Sequence, residues 1–398
     1  MVKRSNKKLE KGNAQSCRRR VLKGAASAAV AAPFLNFGQF RIFAASEKTY
    51  SARAVDLVRG NLVIDMLSVM ADLGDLLTVG FSDNPKLGDA FAITAEQIEK
   101  LRSTGVKVFH PAIGLSSYED ALSFIGRMNA YVAEHPDILR RIDTVADIDE
   151  AMAKGLLGYI VGIQNSSHFQ TPDSVNEFYT LGQRVSQLTY NSQTLIGSGS
   201  TDRVDGGISD FGAAIVARMN DVGMAVDVSH CGDKTTLDAF ELSTAPVLIT
   251  HSNVRKLVDG HPRCKSDEAI KKMAAKGGVM GITGVRNFIR AKEPTTIEHV
   301  LDHIDYVAKL AGVDHVGIGT DMDPDGYDDV PEPAYSALKS GYNESYKFRG
   351  KLDTDGFDHP KKIFDLAEGL IRRGYSDDNI KLILGGNFRR ALGDIWKS

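Results

Sequence analysis

The sequence predicts an α/β protein folded as a (β/α)8 TIM barrel. Eight short apolar, β-branched runs recur along the chain, and amphipathic helical stretches alternate with them. The polar residues gather at the C-terminal ends of those runs. A strand-then-helix series covers both faces of a parallel sheet, so its strands read as nearly continuous apolar segments. Eight such units are the number that closes a barrel, and a barrel carries its site at the strand C-termini. A doubly wound open sheet is the alternative architecture.

The runs span 61–67 (NLVIDML), 105–114, 155–165, 184–191, 223–230, 245–252, 277–284 and 314–323. Each is short and many are flanked by Gly or Pro, as strands are. Helices are expected over 94–105, 210–223, 266–278 and 296–312, where apolar residues recur three and four apart and several segments close on Gly. The run ends place Asp65, His110, Gln164, Tyr190 with Asn191, His230, His251, and Asp321 with Asp323 on one face. Residues 325–360, rich in Gly, Asp, Tyr and Pro, read as a long loop over the barrel mouth, and 381–396 as a closing turn and helix.

The chain has 398 residues, 42% hydrophobic and 25% charged, with net charge −3. This is ordinary globular composition, and with no basic stripe outside the N-terminus it gives no reason to expect nucleic acid as a partner. The N-terminus differs: CRRRVLKGAASAAVAAPFLNFGQF is a basic region followed by a short Ala-rich run. Residues 18–23 resemble a twin-arginine export signal, with Val21 where Phe is common. The apolar run is too short for a membrane span. Residues 1–45 are therefore expected to be a signal peptide cleaved near 43–46, and 46–398 a single barrel domain. The expected location is periplasmic or otherwise extracytoplasmic, reached through the twin-arginine translocation machinery. A signal kept as an anchor and a plain basic tail are the alternatives. Cys231 and Cys264 remain in the mature chain, so one disulfide is open to them, without metal-site spacing.

His230 in DVSH and His251 in LITHS end successive strands. Neighbouring strand ends bring two imidazoles close enough to share one metal, and zinc favours such N and O donors. The plainer alternative is that each caps its strand. Asp321, in GIGTDMD, suits a metal ligand or a base; a turn cap is the role that fits Asp323 better. Arg263, in HPR, suits a substrate carboxylate or a developing charge through its bidentate fork, or else is a solvated surface residue.

Residues 207–263, with KGGVMGITG (276–284), HVGIGTDMD (315–323) and GGNFRRAL (385–392) in the same order, resemble the membrane dipeptidase (renal dipeptidase) family. The resemblance covers most of the chain after the signal and is strongest from about Gly206. It implies a metal-dependent-hydrolase-like TIM barrel, a two-zinc site, hydrolysis of dipeptides and a homodimer. His230 and His251 match the histidines of one zinc, Arg263 the substrate-contacting arginine, and Asp321 the acid near the reaction centre.

The other half of the pattern departs. The positions of the family's His and Asp ligands on the first strand are Leu67 and Val69, its bridging Glu is Gln164, and its substrate-contacting His, after Leu-Thr, is Tyr190. Leu and Val ligate nothing, and Gln lacks the charge that holds two divalent ions together against their repulsion. The expectation is one metal, zinc, on His230 and His251, completed by Gln164, Asp321 or water. His110 and Asp65 are candidate substitute ligands. Arg263 and Tyr190 would bind substrate, and Asp321 with Arg263 would carry the chemistry. Three functions stay open: an exported hydrolase of dipeptides or N-acyl amino acids, a binding or accessory protein that kept the barrel and lost the chemistry, and a lyase or isomerase acting on a modified peptide.

Overall fold

The protein is described by a computed structural model over residues 39–40, 49–68, 94–328, 332–340, 346 and 348–397. Of the expected signal segment, residues 1–45, only 39–40 are described, and Val69 lies outside the described residues. The chain divides into two compact units, residues 1–55 and 56–398. In the first, Gln39–Phe40 pairs antiparallel with Tyr50–Ser51. The helix Ala52–Arg59 crosses the boundary.

The second unit holds eight parallel strand positions, numbered here β1 to β8. They are β1 (Ile64–Asp65), β2 (Val108–Phe109 and Ala112–Ile113), β3 (Leu157–Tyr159 and Val161–Ile163), β4 (Gln183–Gln187), β5 (Ala225–Asp227), β6 (Ile249–Ser252), β7 (Met280–Ile282) and β8 (Val316–Ile318). Seven fall inside the apolar runs, and β4 starts one residue before its run. Pairing proceeds in order from β1 to β5 and from β6 to β8, and Ile318 pairs with Asp65 to join β8 to β1. Between β5 and β6 a parallel bridge joins Asp227 to Leu248, with Leu248 N–H donating to Val226 O (2.9 Å) and Val228 N–H to Leu248 O (3.0 Å). These contacts complete the ring, as expected for a barrel and unlike an open sheet.

Two features are additions to the expected pattern. β2 and β3 are each interrupted, at His110–Pro111 and at Ile160. Pro111 has no N–H to give a ladder. Consequently His110 lies within the second strand rather than at its end. A further strand, Leu139–Arg141, pairs parallel with the first half of β3.

The helices start where their caps require. Thr94 and Thr144 form capping boxes with Gln97 and Asp147, and Ser209 and Ser266 accept from the third backbone N–H of their helices. Gly155 and Gly223 close theirs in the left-handed region, at φ 67° and 85°. The core runs through the strands to the last helix: Ile64, Val108, Val185, Ala225, Leu248 and Val279 are buried with Phe388, Leu392 and Trp396. That helix, Asn387–Ile395, follows a π segment at Leu382–Gly386, where a Cβ on Gly385 would stand 2.8 Å from Leu62 O. The close approach to the chain before β1 needs glycine.

The 325–360 loop is described in part. It contains the helix Ala334–Ser340, and the Asp353 carboxylate accepts from the N–H groups of Tyr327 and Asp328, both at 2.7 Å. Cys231 and Cys264 are both buried and free, so the disulfide open to them does not form. No helix among the described residues is long and apolar enough to cross a membrane.

Candidate functional site

β5 and β6 deliver the centre of the site. His230 and His251 are both buried, and their Nε2 atoms stand 3.0 Å apart. The other nitrogen of each ring decides its tautomer. His230 Nδ1 lies 2.7 Å from Asn191 Oδ1, an acceptor, so the Nδ1 proton points there. Asn191 sits at φ 62°, a left-handed turn that Asn tolerates, just past β4. His251 Nδ1 lies 2.8 Å from Thr250 Oγ1. The single Thr250 hydroxyl proton is directed at Asp227 Oδ2, 2.8 Å away, so this oxygen accepts from His251 Nδ1–H. Both Nε2 atoms therefore present lone pairs to each other.

Burial first, and then the Arg263 guanidinium, hold both imidazoles well below their ordinary pKa. Tyr190 stacks on the His230 face, with centroids 4.2 Å apart and planes 20° apart. Its ring also lies 3.2 Å from where a Cβ on Gly114 would stand. Glycine at 114 makes room for a tyrosine across the mouth.

Arg263 is completely buried, not a solvated surface residue. Nη1 donates to Ser229 O (2.5 Å) and Ser252 Oγ (3.2 Å), and Nη2 to His251 O (2.9 Å). Nε is buried and unbonded. The fork ties together the two strand ends that bear the histidines. Lys265, also buried, donates to Val228 O (2.6 Å), Cys231 O (3.0 Å) and Thr236 Oγ1 (3.1 Å), so it fixes the chain on both sides of His230. Lys265 is a site residue that sequence reasoning missed: its place two residues after Arg263 carries no spacing signal.

The acids lie at β8 and β1. Asp321 has φ 56°, and its N–H donates to Leu67 O at 2.8 Å. Burial pushes its carboxyl up to about 7, against the pull of Arg263 and with the push of Asp65. Asp65 is buried, accepts from Thr320 N–H (2.8 Å), Thr320 Oγ1–H (2.6 Å) and Leu67 N–H (3.3 Å), and is still raised to about 6 by burial. All of these are intramolecular donors, so the structure gives Asp65 a strand-fastening role. Asp323 accepts Asp325 N–H at 3.0 Å, the turn cap expected of it.

His110 donates Nδ1–H to Met66 O (2.6 Å), and its buried Nε2 has no partner. Gln164 donates to Ala112 O (2.7 Å) and leaves a buried, unbonded Oε1. Leu67 is buried apolar. Among the described residues, no three His, Cys, Asp or Glu side chains converge as a metal site. The donors that fit a cation are thus the imidazole pair, with neutral oxygens to complete a shell.

The model of the membrane dipeptidase family, Peptidase family M19, matches residues 89–338. The chain belongs to this family. Dipeptidase verJ of Clonostachys rogersoniana is 30% identical over 271 residues, 67% of this chain and 63% of that protein. The chain spans between 54% and 63% of the length of the curated relatives it matches. An amidohydrolase from Pseudomonas aeruginosa superposes with a TM-score of 0.73 at 29% identity, covering 86% of this chain and 99% of that one. A metallopeptidase from Rhodobacter sphaeroides, solved with a phosphinate mimic of the dipeptide L-Ala-D-Ala, has a TM-score of 0.68 at 18% identity. It covers 84% of this chain and 99% of its own, a likeness of fold.

Proposed function

We propose that this family member is an exported amide hydrolase of the dipeptidase kind, built around one zinc-like ion on His230 and His251 and acting on dipeptides or N-acyl amino acids. The observation that carries the reading is the 3.0 Å approach of two Nε2 atoms whose Nδ1 protons are both held elsewhere. Two lone pairs at that distance repel unless a cation answers them. A proton is disfavoured, because burial and Arg263 oppose charging either ring. A divalent ion accepts both lone pairs and leaves both Nδ1 protons in place. Two nitrogens at about 2.0–2.1 Å from a tetrahedral zinc lie roughly 3.3 Å apart, near the observed spacing.

Zinc held there supplies Lewis-acid polarisation of the scissile carbonyl. The remaining roles belong to the chain. Asp321, raised to about 7, takes a proton from the attacking water and returns it to the leaving amine. Arg263 keeps the two histidine-bearing strand ends in register and supplies positive charge near Asp321. Tyr190 walls one side of His230 and offers the substrate an aromatic face. Gln164 Oε1, buried and unbonded, would serve as a neutral donor to complete the metal shell. The twin-arginine-type segment delivers the folded chain to the periplasm.

The absence of a three-residue ligand group among the described residues favours a second reading, a binding or accessory protein that retains the pocket. The two separate on a panel of dipeptides and N-acyl amino acids, with release of free amine followed on the zinc-loaded chain. Hydrolysis that vanishes in the His230→Ala, His251→Ala double variant and drops roughly 10²–10⁴-fold in Asp321→Asn supports the hydrolase. Ligand binding without turnover would replace it with the second reading.

A further inference from the structure

The two histidines are held by unlike partners. His230 Nδ1–H meets a neutral amide, Asn191 Oδ1. His251 Nδ1–H meets a hydroxyl whose own proton goes to a carboxylate. Asp227, buried at the end of β5, accepts from Ser229 N–H (3.0 Å), Ser229 Oγ–H (2.6 Å), Thr250 N–H (3.0 Å) and Thr250 Oγ1–H (2.8 Å). Four donors and no acceptor are the surroundings of an ionised carboxylate. Turning the Thr250 proton toward His251 would leave Oγ1 and Oδ2 facing each other as acceptors at 2.8 Å, so the direction of the chain is fixed. Ser229 completes the arrangement, since its Oγ also accepts His251 N–H at 3.1 Å.

We propose that Asp227 is a positioning residue which, through the Thr250 hydroxyl, fixes the Nδ1–H tautomer of His251 and makes His251 the stronger metal donor of the pair. The metal clause rests on reading His230 and His251 as a metal pair; the tautomer clause does not. A carboxylate behind a ligating imidazole raises the basicity of the far nitrogen, and its loss typically costs 10–100-fold in metal affinity. The relay through a hydroxyl transmits the same polarisation and also ties β5 to β6 where their pairing is reduced to a single bridge.

Thr250→Val keeps the branched shape and removes the relay, Thr250→Ser restores the hydroxyl, and Asn191→Ala removes the neutral partner of His230. The full mature chain with ¹⁵N-labelled histidine is read in two ways: imidazole ¹⁵N shifts of the metal-free protein, and zinc affinity by competition with a chelator. The expected result is a His251 Nδ1–H tautomer in the wild type and in Thr250→Ser, lost in Thr250→Val. Zinc binding should weaken on the order of 10–100-fold in Thr250→Val, more than in Asn191→Ala, and recover in Thr250→Ser. An unchanged His251 tautomer in Thr250→Val would overturn the proposal even if no zinc binds. Failure of the wild type to bind zinc, with the tautomer shift intact, would overturn the metal pair and the donor ranking but leave Asp227 as the tautomer-setting group. A larger zinc loss in Asn191→Ala would overturn the ranking of the two histidines.

Discussion

Asp321 stands near neutrality because burial opposes its charge more strongly than Arg263 favours it, and Asp65 adds to the rise. As a base it works only when deprotonated. Activity should therefore climb with pH through about 7 and flatten above it, and Asp65→Asn, by removing the neighbouring negative charge, should move that acidic limb downward. The pH dependence of kcat/KM for both proteins is the check. An unmoved limb in Asp65→Asn would show that the acidic group on the profile is not Asp321. Stability carries the opposite sign. A carboxyl raised to about 6, as Asp65 is, contributes stability present below its unfolded pKa of 3.8 and lost as pH rises through 6. Urea unfolding of the wild type should thus show a downward stability contribution between pH 4 and 6 that Asp65→Asn lacks. At this scale the sequence shows residue types but not their partners. The Asp227–Thr250–His251 chain, the opposed lone pairs and the burial of Arg263 and Lys265 arise from side-chain geometry that no spacing encodes.

The strands and helices were legible for a definite reason. Strands covered on both faces are apolar throughout, so the barrel strands announced themselves as apolar runs, many of them flanked by Gly or Pro. The helices showed their three-and-four apolar spacing and their closing glycines, as in the helix that ends at Gly223. What escaped was local: the breaks in β2 and β3, the extra strand Leu139–Arg141 and the π segment at Leu382–Gly386 depend on neighbouring elements. The break in β2 has a consequence for β3. A Cβ on Gly162 would stand 1.9 Å from His110 Nε2, so the imidazole that follows Phe109 lies directly against this glycine. Gly162→Ala should destabilise the protein by roughly 1–3 kcal/mol, the usual cost of overpacking, measured by urea unfolding. His110→Ala in the same background should recover part of that loss, and no recovery would show that the strain arises elsewhere.

For the whole molecule, the barrel brings His230 and His251 together from β5 and β6, while Leu67 and Gln164 follow β1 and β3. Among the described residues, closure of the ring between β5 and β6 rests on one bridge, two backbone bonds and the side chains of Asp227, Ser229, Thr250 and Arg263. A cation on the two histidines would therefore reinforce the thinnest seam of the barrel. Zinc at a hundredfold excess over its Kd should stabilise the fold by about 2.7 kcal/mol, and a chelator should remove that increment. Calorimetry with and without chelator reads it, and equal melting temperatures under both conditions would separate the fold from any metal. The central claim, one metal on the imidazole pair, meets its most direct test in elemental analysis of the mature chain purified without chelator, beside the His230→Ala, His251→Ala double variant. About one zinc-like ion per chain in the wild type, and none in the variant, is the predicted result. No metal in the wild type after zinc is supplied, or equal metal in both proteins, would contradict it.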